Sequence, residues 1–416
     1  MGSFEHHKKQ RRQQPGKIDS PLNEKLKNVK WGEFKLGDLF VSSNGDFDIQ
    51  KTHINGKGNY VITAGLTDNG ILGKTNIPAK IFDSKTITVD MFGCAFYRQF
   101  EYKMVTHARV FSLKTLFEVS DNQGIYLACS LGFLRFLFGY ENMCSWEKIK
   151  NFKIQLPIKE KSLDFSNPCD NIKNIDFDFM ESFIRELEEE RIRELNAYLL
   201  ATGLKDYALS AEEEKALEAF KTLQWGEFEL PEIFDIKNTH NILSSEIVAE
   251  SGTTPYLCAS AENNGVSSYI SYKNELLEKG NCIFIGGKTF VVSYQKDNFY
   301  SNDSHNLALY LKEQNVTKSN QLYLATCIRK GLSHKYSWGN SISGSKIKSD
   351  KFQLPTKNNK PDYATMETFI KAVEKLVIKD VVLYADSKIK ATKNVVKKDL
   401  EYKINEDAGL LKVAEK

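Results

Sequence analysis

One block of sequence occurs twice in this chain of 416 residues and constrains its fold more than any other feature. WGEFKLGDLF runs from Trp31 to Phe40, and WGEFELPEIF runs from Trp225 to Phe234. Further pairs follow in the same order: YVITAGLTDNG and YLCASAENNG, THARVFSL and SHNLALYL, YLAC and YLAT, KIKNFKIQLP and KIKSDKFQLP, and MESFI and METFI. Matched blocks in a fixed order indicate an internal duplication, with two repeats of roughly 200 residues that are domains rather than solenoid units.

Length and composition agree with two globular domains and exclude several classes of protein. A chain of 416 residues is too long for one hydrophobic core, and its 41% hydrophobic content is ordinary for a globular protein. No apolar run approaches the roughly 20 residues of a membrane helix. The net charge of +3 neither requires nor excludes a nucleic acid partner. The seven cysteines form no C-x-x-C pair, which favours free thiols in a reducing cytoplasm.

Each repeat combines short strands with helices. Alternating stretches such as KTITVDMF and CIFIGG, separated by Asn-Gly turns, predict an α+β domain with a curved, mainly antiparallel sheet that is followed by a long helix. We expect five regions: a disordered basic leader at 1–30, a first domain at 31–160, a central helical spacer at 161–224, a second domain at 225–360, and a distal helical region with a tail at 361–416.

The two long helices have apolar stripes at helical spacing. The residues expected to pack are Met180, Phe183, Ile184, Leu187 and Leu195 in the first helix, and Met366, Phe369, Ile370, Val373 and Leu376 in the second. Each stripe needs a partner, and the sequence predicts that the helices pack on each other as an antiparallel coiled coil. Gly203 is expected to terminate the first helix, and Ser210 with Glu213 forms a capping box for a shorter one.

Two similar domains on paired helices would have pseudo-twofold symmetry, the arrangement with which proteins match paired DNA half-sites. A helix of about 24 residues spans about 36 Å, close to the ~34–36 Å of one turn of B-DNA. Geometry alone equally allows a duplicated scaffold for protein or carbohydrate binding that has no role on DNA.

The opening W-G-E-F-K-L-G-D-L-F, the L-P that closes each domain, and the loop GNSISGSKIKSDKFQLP before the second helix resemble the DNA-specificity subunit of type I restriction–modification systems. The resemblance covers residue 31 to about residue 390. It implies a non-catalytic, cofactor-free subunit with two target-recognition domains that read a bipartite, asymmetric target in double-stranded DNA. It also implies two methyltransferase subunits as partners and, through them, a restriction and translocase subunit.

The stretch from Lys161 to Asn174 departs from the family pattern, in which a proline pair and E-Q often follow the closing loop. This departure leaves open the related specificity subunit of a type IIB system, whose partner chain combines methylation and cleavage. A nuclease hidden in the repeats is disfavoured, because no acidic pair with a lysine recurs in both halves. The sequence also lacks a methyl-transfer motif, a P-loop and a His/Cys metal cluster.

Candidates for DNA contact are basic, amide, hydroxyl and aromatic side chains in loops and turns. In the first repeat they are Lys51, Thr52, His53, Asn69, Lys74, Tyr97, Arg98, Gln99, Lys103 and Arg109. In the second repeat they are Asn264, Lys288, Tyr294, Gln295, Lys296, Asn306, Ser341, Ser343, Ser345 and Lys346. We interpret His107 and His305 as structural histidines, and Trp31 and Trp225 as anchors of the domains rather than base-stacking residues.

Overall fold

A computed structural model describes residues 21–159, 168–313 and 317–414 of the chain. Residues 1–20 of the predicted disordered leader and residues 161–167 of the divergent stretch lie outside the described residues. Residues Pro21–Asn28 of the same predicted leader form a helix, so the prediction of disorder is wrong for this part. The chain divides into two compact units, Met1–Leu195 with Thr392–Lys416, and Asn196–Ala391.

The first repeat contains nine strands and six helices within the described residues. In chain order they are α1 (Pro21–Asn28), β1 (Trp31–Lys35), α2 (Leu36–Leu39), β2 (Phe40–Asn44), β3 (Asn59–Ile62), β4 (Ile71–Thr75), β5 (Thr86–Val89), β6 (Ala95–Arg98), β7 (Tyr102–Met104), β8 (Phe111–Thr115), α3 (Asp121–Ser130), α4 (Trp146–Ile149), β9 (Lys153–Pro157), α5 (Pro168–Lys173) and α6 (Phe177–Ala201).

The second repeat has the same succession of principal strands. Its elements are α7 (Ala211–Ala219), β10 (Trp225–Glu229), α8 (Leu230–Ile233), β11 (Phe234–Asn238), β12 (Thr254–Leu257), β13 (Val266–Ile270), β14 (Cys282–Ile285), β15 (Val292–Gln295), β16 (Tyr300–Ser301), β17 (Leu307–Leu311), α9 (Lys318–Leu332), β18 (Lys351–Lys357), β19 (Lys360–Pro361) and α10 (Tyr363–Ala414).

Strand pairing is the same in both repeats except for β19, which is added to β18 in the second repeat. The first has sheets β1-β9, β2-β8-β5-β6 and β4-β3-β7, and the second has β10-β18-β19, β11-β17-β14-β15 and β13-β12-β16. The prediction of a mainly antiparallel α+β domain is confirmed. Each domain holds three small sheets, and one pair in each, β3 with β7 and β12 with β16, is parallel.

The repeated opening box of each domain pairs with the repeated block that closes it. Trp31 lies opposite Pro157 in the β1–β9 ladder, and Trp225 lies opposite Pro355 in the β10–β18 ladder. Side chains alternate on β1, so that Phe34 enters the core at 5% exposure while Trp31 stays 40% exposed on the other face. The indole N–H of Trp31 donates to the carbonyl of Leu26 in α1. The two blocks therefore recur because they close the domain together.

The two long helices begin as predicted. Helix α6 has 25 residues and α10 has 52, so α10 continues through the region expected to be a tail. Gly203 has a φ of +73° just after α6 ends, and Ser210 and Glu213 form both bonds of the predicted capping box.

The first turns of both helices pack on the cores of their own domains. Met180 and Ile184 belong to the core of the first repeat, and Met366 belongs to that of the second. Phe183, Phe369 and Ile370 pack against the same cores, whereas Leu187, Leu195 and Val373 are half-buried. Leu376 is 47% exposed, and its packing against the other helix stays a prediction. The apolar stripe thus has a partner in its own domain, which the argument from helical periodicity did not consider.

Candidate nucleic-acid interface

One end of the second domain brings together several predicted DNA contacts. The Lys288 ammonium lies 3.0 Å from one carboxylate oxygen of Asp303, and the His305 ring nitrogen Nδ1 lies 2.8 Å from the other. The backbone amide of His305 donates to the same carboxylate. Burial alone would raise the pKa of Asp303, but these hydrogen bonds outweigh it and hold the pKa at about 2.

The loop from Ser341 to Lys346 adjoins this end of the domain. The amide of Ile342 donates to the carbonyl of Gly287, beside Lys288. Within the loop, Ser343 and Ser345 are joined through their hydroxyls at 3.0 Å. The Lys346 ammonium donates to the Asn340 side chain and to the Ser341 carbonyl, both at 2.9 Å. Lys346 thus closes the loop in addition to presenting charge.

The first domain builds its equivalent loop with different residues. Lys148 donates to the Asn142 side chain and to the Met143 carbonyl, both at 2.8 Å, as Lys346 does in the second domain. Sequence reasoning missed Lys148 as a site residue, although KIK occurs in both closing blocks. The loop between Met143 and Lys148 contains Trp146 and Glu147 instead of small residues, so the two loops present different chemistry.

The corresponding end of the first domain contains Lys51, Thr52 and His53. These form a single turn in which the His53 Nδ1 accepts from the amide of Gln50. The Gln50 side chain donates to Asp48, and Asp48 also accepts from the His107 ring at 2.6 Å. The structure therefore brings the Lys51–His53 turn next to His107. Arg109, in a left-handed conformation with φ +48°, lies on the same loop as His107 and lines a cleft with Trp146.

Each domain carries an exposed asparagine in a turn with two consecutive left-handed residues before glycine. The φ values are +54° at Asn69 and +52° at Asn264. The carbonyl of Asn69 accepts from the Arg98 guanidinium at 2.8 Å, and the carbonyl of Asn264 accepts from the Gln295 amide at 3.0 Å. Arg98 and Gln295 occupy the same position in β6 and β15, so one site anchors both turns.

Four predicted contacts lie inside the domains and are withdrawn as direct contacts to DNA. Arg98, Lys103, Gln295 and Asn306 are at most 5% exposed. Lys103 donates to the Ile77 carbonyl, and the Asn306 side chain accepts from the Gly287 amide and donates to Ser301. Their polar side chains hold turns and loops in place. Sequence composition alone does not separate a basic or amide side chain that supports a loop from one that faces a ligand.

The other predicted contacts are at least partly accessible. Gln99 and Lys296 are exposed, and Lys74 covers the ring of Tyr60 at 4.4 Å. The Tyr97 hydroxyl donates to Asp121, and the Tyr294 hydroxyl donates to Asn281. Burial and the bond to Asp121 raise the pKa of Tyr97, which makes its phenol a neutral donor at physiological pH.

The two domains thus share strand order and register and differ in the polar loops that their strands carry. In the described ranges, no group of three His, Cys, Asp or Glu side chains is arranged to hold a metal ion. No helix in the described part of the chain is long and apolar enough to cross a membrane.

Comparison with known proteins assigns the family. The sequence model of the type I restriction modification DNA specificity domain matches twice, at residues 28–197 and 223–383. The chain therefore belongs to this family, whose members are non-catalytic specificity subunits of restriction–modification systems.

Two relatives show the extent of the likeness. The specificity subunit S.BcgI of a type II restriction enzyme from Heyndrickxia coagulans is 24% identical over 361 residues, which cover 84% of this chain and 96% of that protein. The crystal structure of the S subunit of a type I restriction–modification system from M. genitalium matches with a TM-score of 0.51 at 16% identity, covering 88% of this chain and 94% of that one. The second likeness concerns the fold.

Proposed function

We propose that this specificity subunit recognises a bipartite, asymmetric target in double-stranded DNA, with one half read by each domain. The observation that supports the proposal is that the two domains have the same arrangement of strands but different loops. Strand order and register repeat. The loops at 142–148 and 340–346 share an asparagine, a serine and a lysine, but the first has Trp146 and Glu147 where the second has Gly344 and Ser345. Equivalent loops with different side chains suit two half-sites of different sequence.

The accessible members of the candidate set form the proposed DNA surface. In the first domain these are Lys51, Thr52, His53, Asn69, Lys74, Tyr97, Gln99 and Arg109, and in the second they are Asn264, Lys288, Tyr294, Lys296, Ser341, Ser343, Ser345 and Lys346. The lysines and Arg109 supply charge for phosphates, and the amides and hydroxyls suit base edges.

Helices α6 and α10 are proposed to act as the spacer and as the docking surface for two methyltransferase subunits. Their packing as an antiparallel coiled coil is part of this proposal. Helix α10 keeps Leu376, Val377, Leu383 and Tyr384 between 42% and 73% exposed, which favours a further apolar partner. A restriction and translocase subunit would join through the methyltransferases.

Binding by the reconstituted complex tests this function. Titration of random and target-containing duplexes should show tight binding of one sequence that weakens as salt increases. Replacing the exposed Lys51 and Lys296 together by methionine should lower the dependence of log K on log salt by about 2, at ~0.9 per phosphate contact. Equal affinity for all duplexes would refute the proposal.

The relative from a type II restriction enzyme favours a second arrangement, in which the partner is one chain that both methylates and cleaves. The two arrangements differ in their need for ATP, because a translocase consumes it. Cleavage by the complex without ATP would identify the type IIB arrangement, and strict ATP dependence would identify the type I arrangement.

A further inference from the structure

Two histidines at equivalent positions have the same geometry in both repeats. His107 follows Tyr102 of β7 by five residues, and His305 follows Tyr300 of β16 by five residues. These two tyrosines pair with the equivalent Tyr60 and Tyr256. In each case one carboxylate oxygen accepts two bonds, from the backbone amide of the histidine and from its ring Nδ1. The two distances are 3.1 and 2.6 Å from Asp48 to His107, and 2.9 and 2.8 Å from Asp303 to His305.

The supporting carboxylates do not come from equivalent positions. Asp48 belongs to the segment after β2, while Asp303 precedes His305 by two residues. Inheritance from the duplication explains why the histidine recurs. It does not explain why a carboxylate from a different segment orients each ring in the same way. The same pair of bonds orients His240 on one carboxylate oxygen of Glu278, so this bonding occurs at three histidines, and only His107 and His305 recur in both repeats.

The bonding determines which ring nitrogen faces outward. Hydrogen bonds from the His107 ring and backbone, together with a bond from Thr106, lower the pKa of Asp48, and Asp303 has a pKa of about 2. Both carboxylates are ionised at neutral pH and can only accept, so each Nδ1 carries a proton. Nε2 then points away from the carboxylate, and among the described residues it has no hydrogen-bond partner in either ring.

The exposure of the rings argues against a purely structural role. The side chains are 54% exposed at His107 and 66% exposed at His305. The backbone amide alone suffices to tie each loop to its carboxylate. An imidazole kept only for packing would be expected in the interior, as are the neighbouring Val110 and Leu307.

We propose that His107 and His305 are equivalent phosphate contacts, each donating from a protonated Nε2 to the DNA backbone of its half-site. The inference rests on the proposed function, and it assigns phosphate rather than base contact because of the symmetry. Groups that recur in two domains with different loops are expected to meet what both half-sites share, which is the sugar-phosphate backbone.

The charged groups around each ring define the linkage to pH. His107 faces Asp48, with His53 on the adjoining turn and Arg109 on the same loop as His107. His305 faces Asp303, whose carboxylate also bonds Lys288, and Lys346 lies on the neighbouring loop. A neutral ring with its proton on Nδ1 presents a lone pair at Nε2, which repels a phosphate oxygen. Contact therefore requires a second proton, and binding takes up one proton per repeat.

Substitution by asparagine separates the outward contact from the structural bond. The Asn amide nitrogen can replace Nδ1 as donor to the carboxylate, but it offers nothing in place of Nε2. The reconstituted complex is titrated with a labelled target-containing duplex by fluorescence anisotropy between about pH 6 and about pH 8.5, a range that covers the usual His pKa of ~6.5. Wild-type affinity should fall with rising pH, by up to about tenfold per pH unit for each histidine.

The double variant His107→Asn/His305→Asn should bind more weakly at low pH, lose this pH dependence, and reduce the dependence of log K on log salt by about 2. Its thermal unfolding should match the wild type, since both carboxylate bonds are kept. His334→Asn, which removes another exposed histidine of the second repeat, is the control and should keep the wild-type pH dependence.

The outcomes distinguish this inference from the function on which it rests. A double variant with the wild-type pH dependence overturns the phosphate assignment while leaving the DNA-binding function intact. Methylation mapping that shows a changed target sequence in either single variant also overturns it, because base contact is then indicated. A wild-type complex that binds no DNA at any pH refutes the proposed function itself.

Discussion

The anchoring of the two asparagine turns allows a reciprocal exchange between the repeats. Arg98 and Gln295 occupy the same register position, opposite Thr86 in β5 and Cys282 in β14, respectively. The two residues bond the carbonyls of Asn69 and Asn264. The substitutions Arg98→Gln and Gln295→Arg test whether each turn requires a charged side chain or only a hydrogen-bond donor.

The energies of the two substitutions are not symmetric. Arg98 is 2% exposed, and burial lowers its pKa to about 10, which corresponds to roughly 3 kcal/mol spent on keeping the charge. It recovers this through bonds to Asn69 and to the Thr88 hydroxyl, each worth about 1.5–3 kcal/mol for a charged donor. Arg98→Gln loses one hydrogen bond, but it also removes the free-energy cost of burying a charge. The stability of this variant should therefore stay within about 1 kcal/mol of the wild type. Gln295→Arg should lose about 3 kcal/mol, because Phe284 occupies the position of Thr88 in the second domain and the buried charge lacks that second acceptor.

Hydrogen exchange at the turn provides the assay. The amide of Thr63 donates to Gly70, and that of Asn69 donates to Leu66, so both report on the first turn. Arg98→Ala is the reference for a turn with no anchor and should exchange faster at both amides. The reasoning is refuted if Arg98→Gln exchanges as fast as Arg98→Ala, or if urea unfolding shows no loss for Gln295→Arg.

Three further changes test other parts of the structure. Asp303→Asn should abolish a stability contribution of about 2 kcal/mol. The depressed pKa of Asp303 stabilises the fold above about pH 4, and this stability is lost as the pH falls towards 2. If unfolding followed from pH 6 to about pH 2 shows the same loss of stability in the wild type and the variant, this prediction is contradicted. Lys375→Met should lower the stability by about 1–2 kcal/mol and speed proteolysis near residue 208, because the Lys375 ammonium bonds Asp206, Glu213 and the Ala208 carbonyl. As a control, Lys371→Met breaks only an exposed ion pair on the same helix and should leave the rate of cleavage unchanged. Gly265→Ala should lower the stability by about 1–2 kcal/mol, since the φ of Gly265 is +83° and the added Cβ would lie 3.1 Å from the Cys258 carbonyl oxygen. At Gly339 an added Cβ meets no atom within 4 Å, so thermal unfolding of Gly339→Ala should match that of the wild type.

The sequence was informative where a feature is local or repeated. The duplication, the helix starts, the capping box at Ser210 and the glycine at the end of α6 all depend on residues close in the chain, and they are confirmed. Period-2 and period-3.6 patterns indicate which face of a strand or helix is apolar, since each follows from the geometry of one element, but they do not show what covers that face. Family membership also follows from the ordered repeats, since the frame that is repeated is the frame that the family shares.

The fate of individual polar side chains was decided only by the tertiary structure. Arg98 at the end of β6 and Arg109 in the loop before β8 look alike in sequence, yet Arg98 is buried under a turn and Arg109 is exposed. The pairing of Asp48 with His107 joins residues 59 positions apart, which no local pattern specifies. The sequence by itself determined that the chain contains the same domain twice, because the blocks that open and close the domain occur twice. Which side chains face outward depends on how the loops fold over one another. A hydrogen bond between residues that are distant in the chain produces no repeating pattern in the sequence.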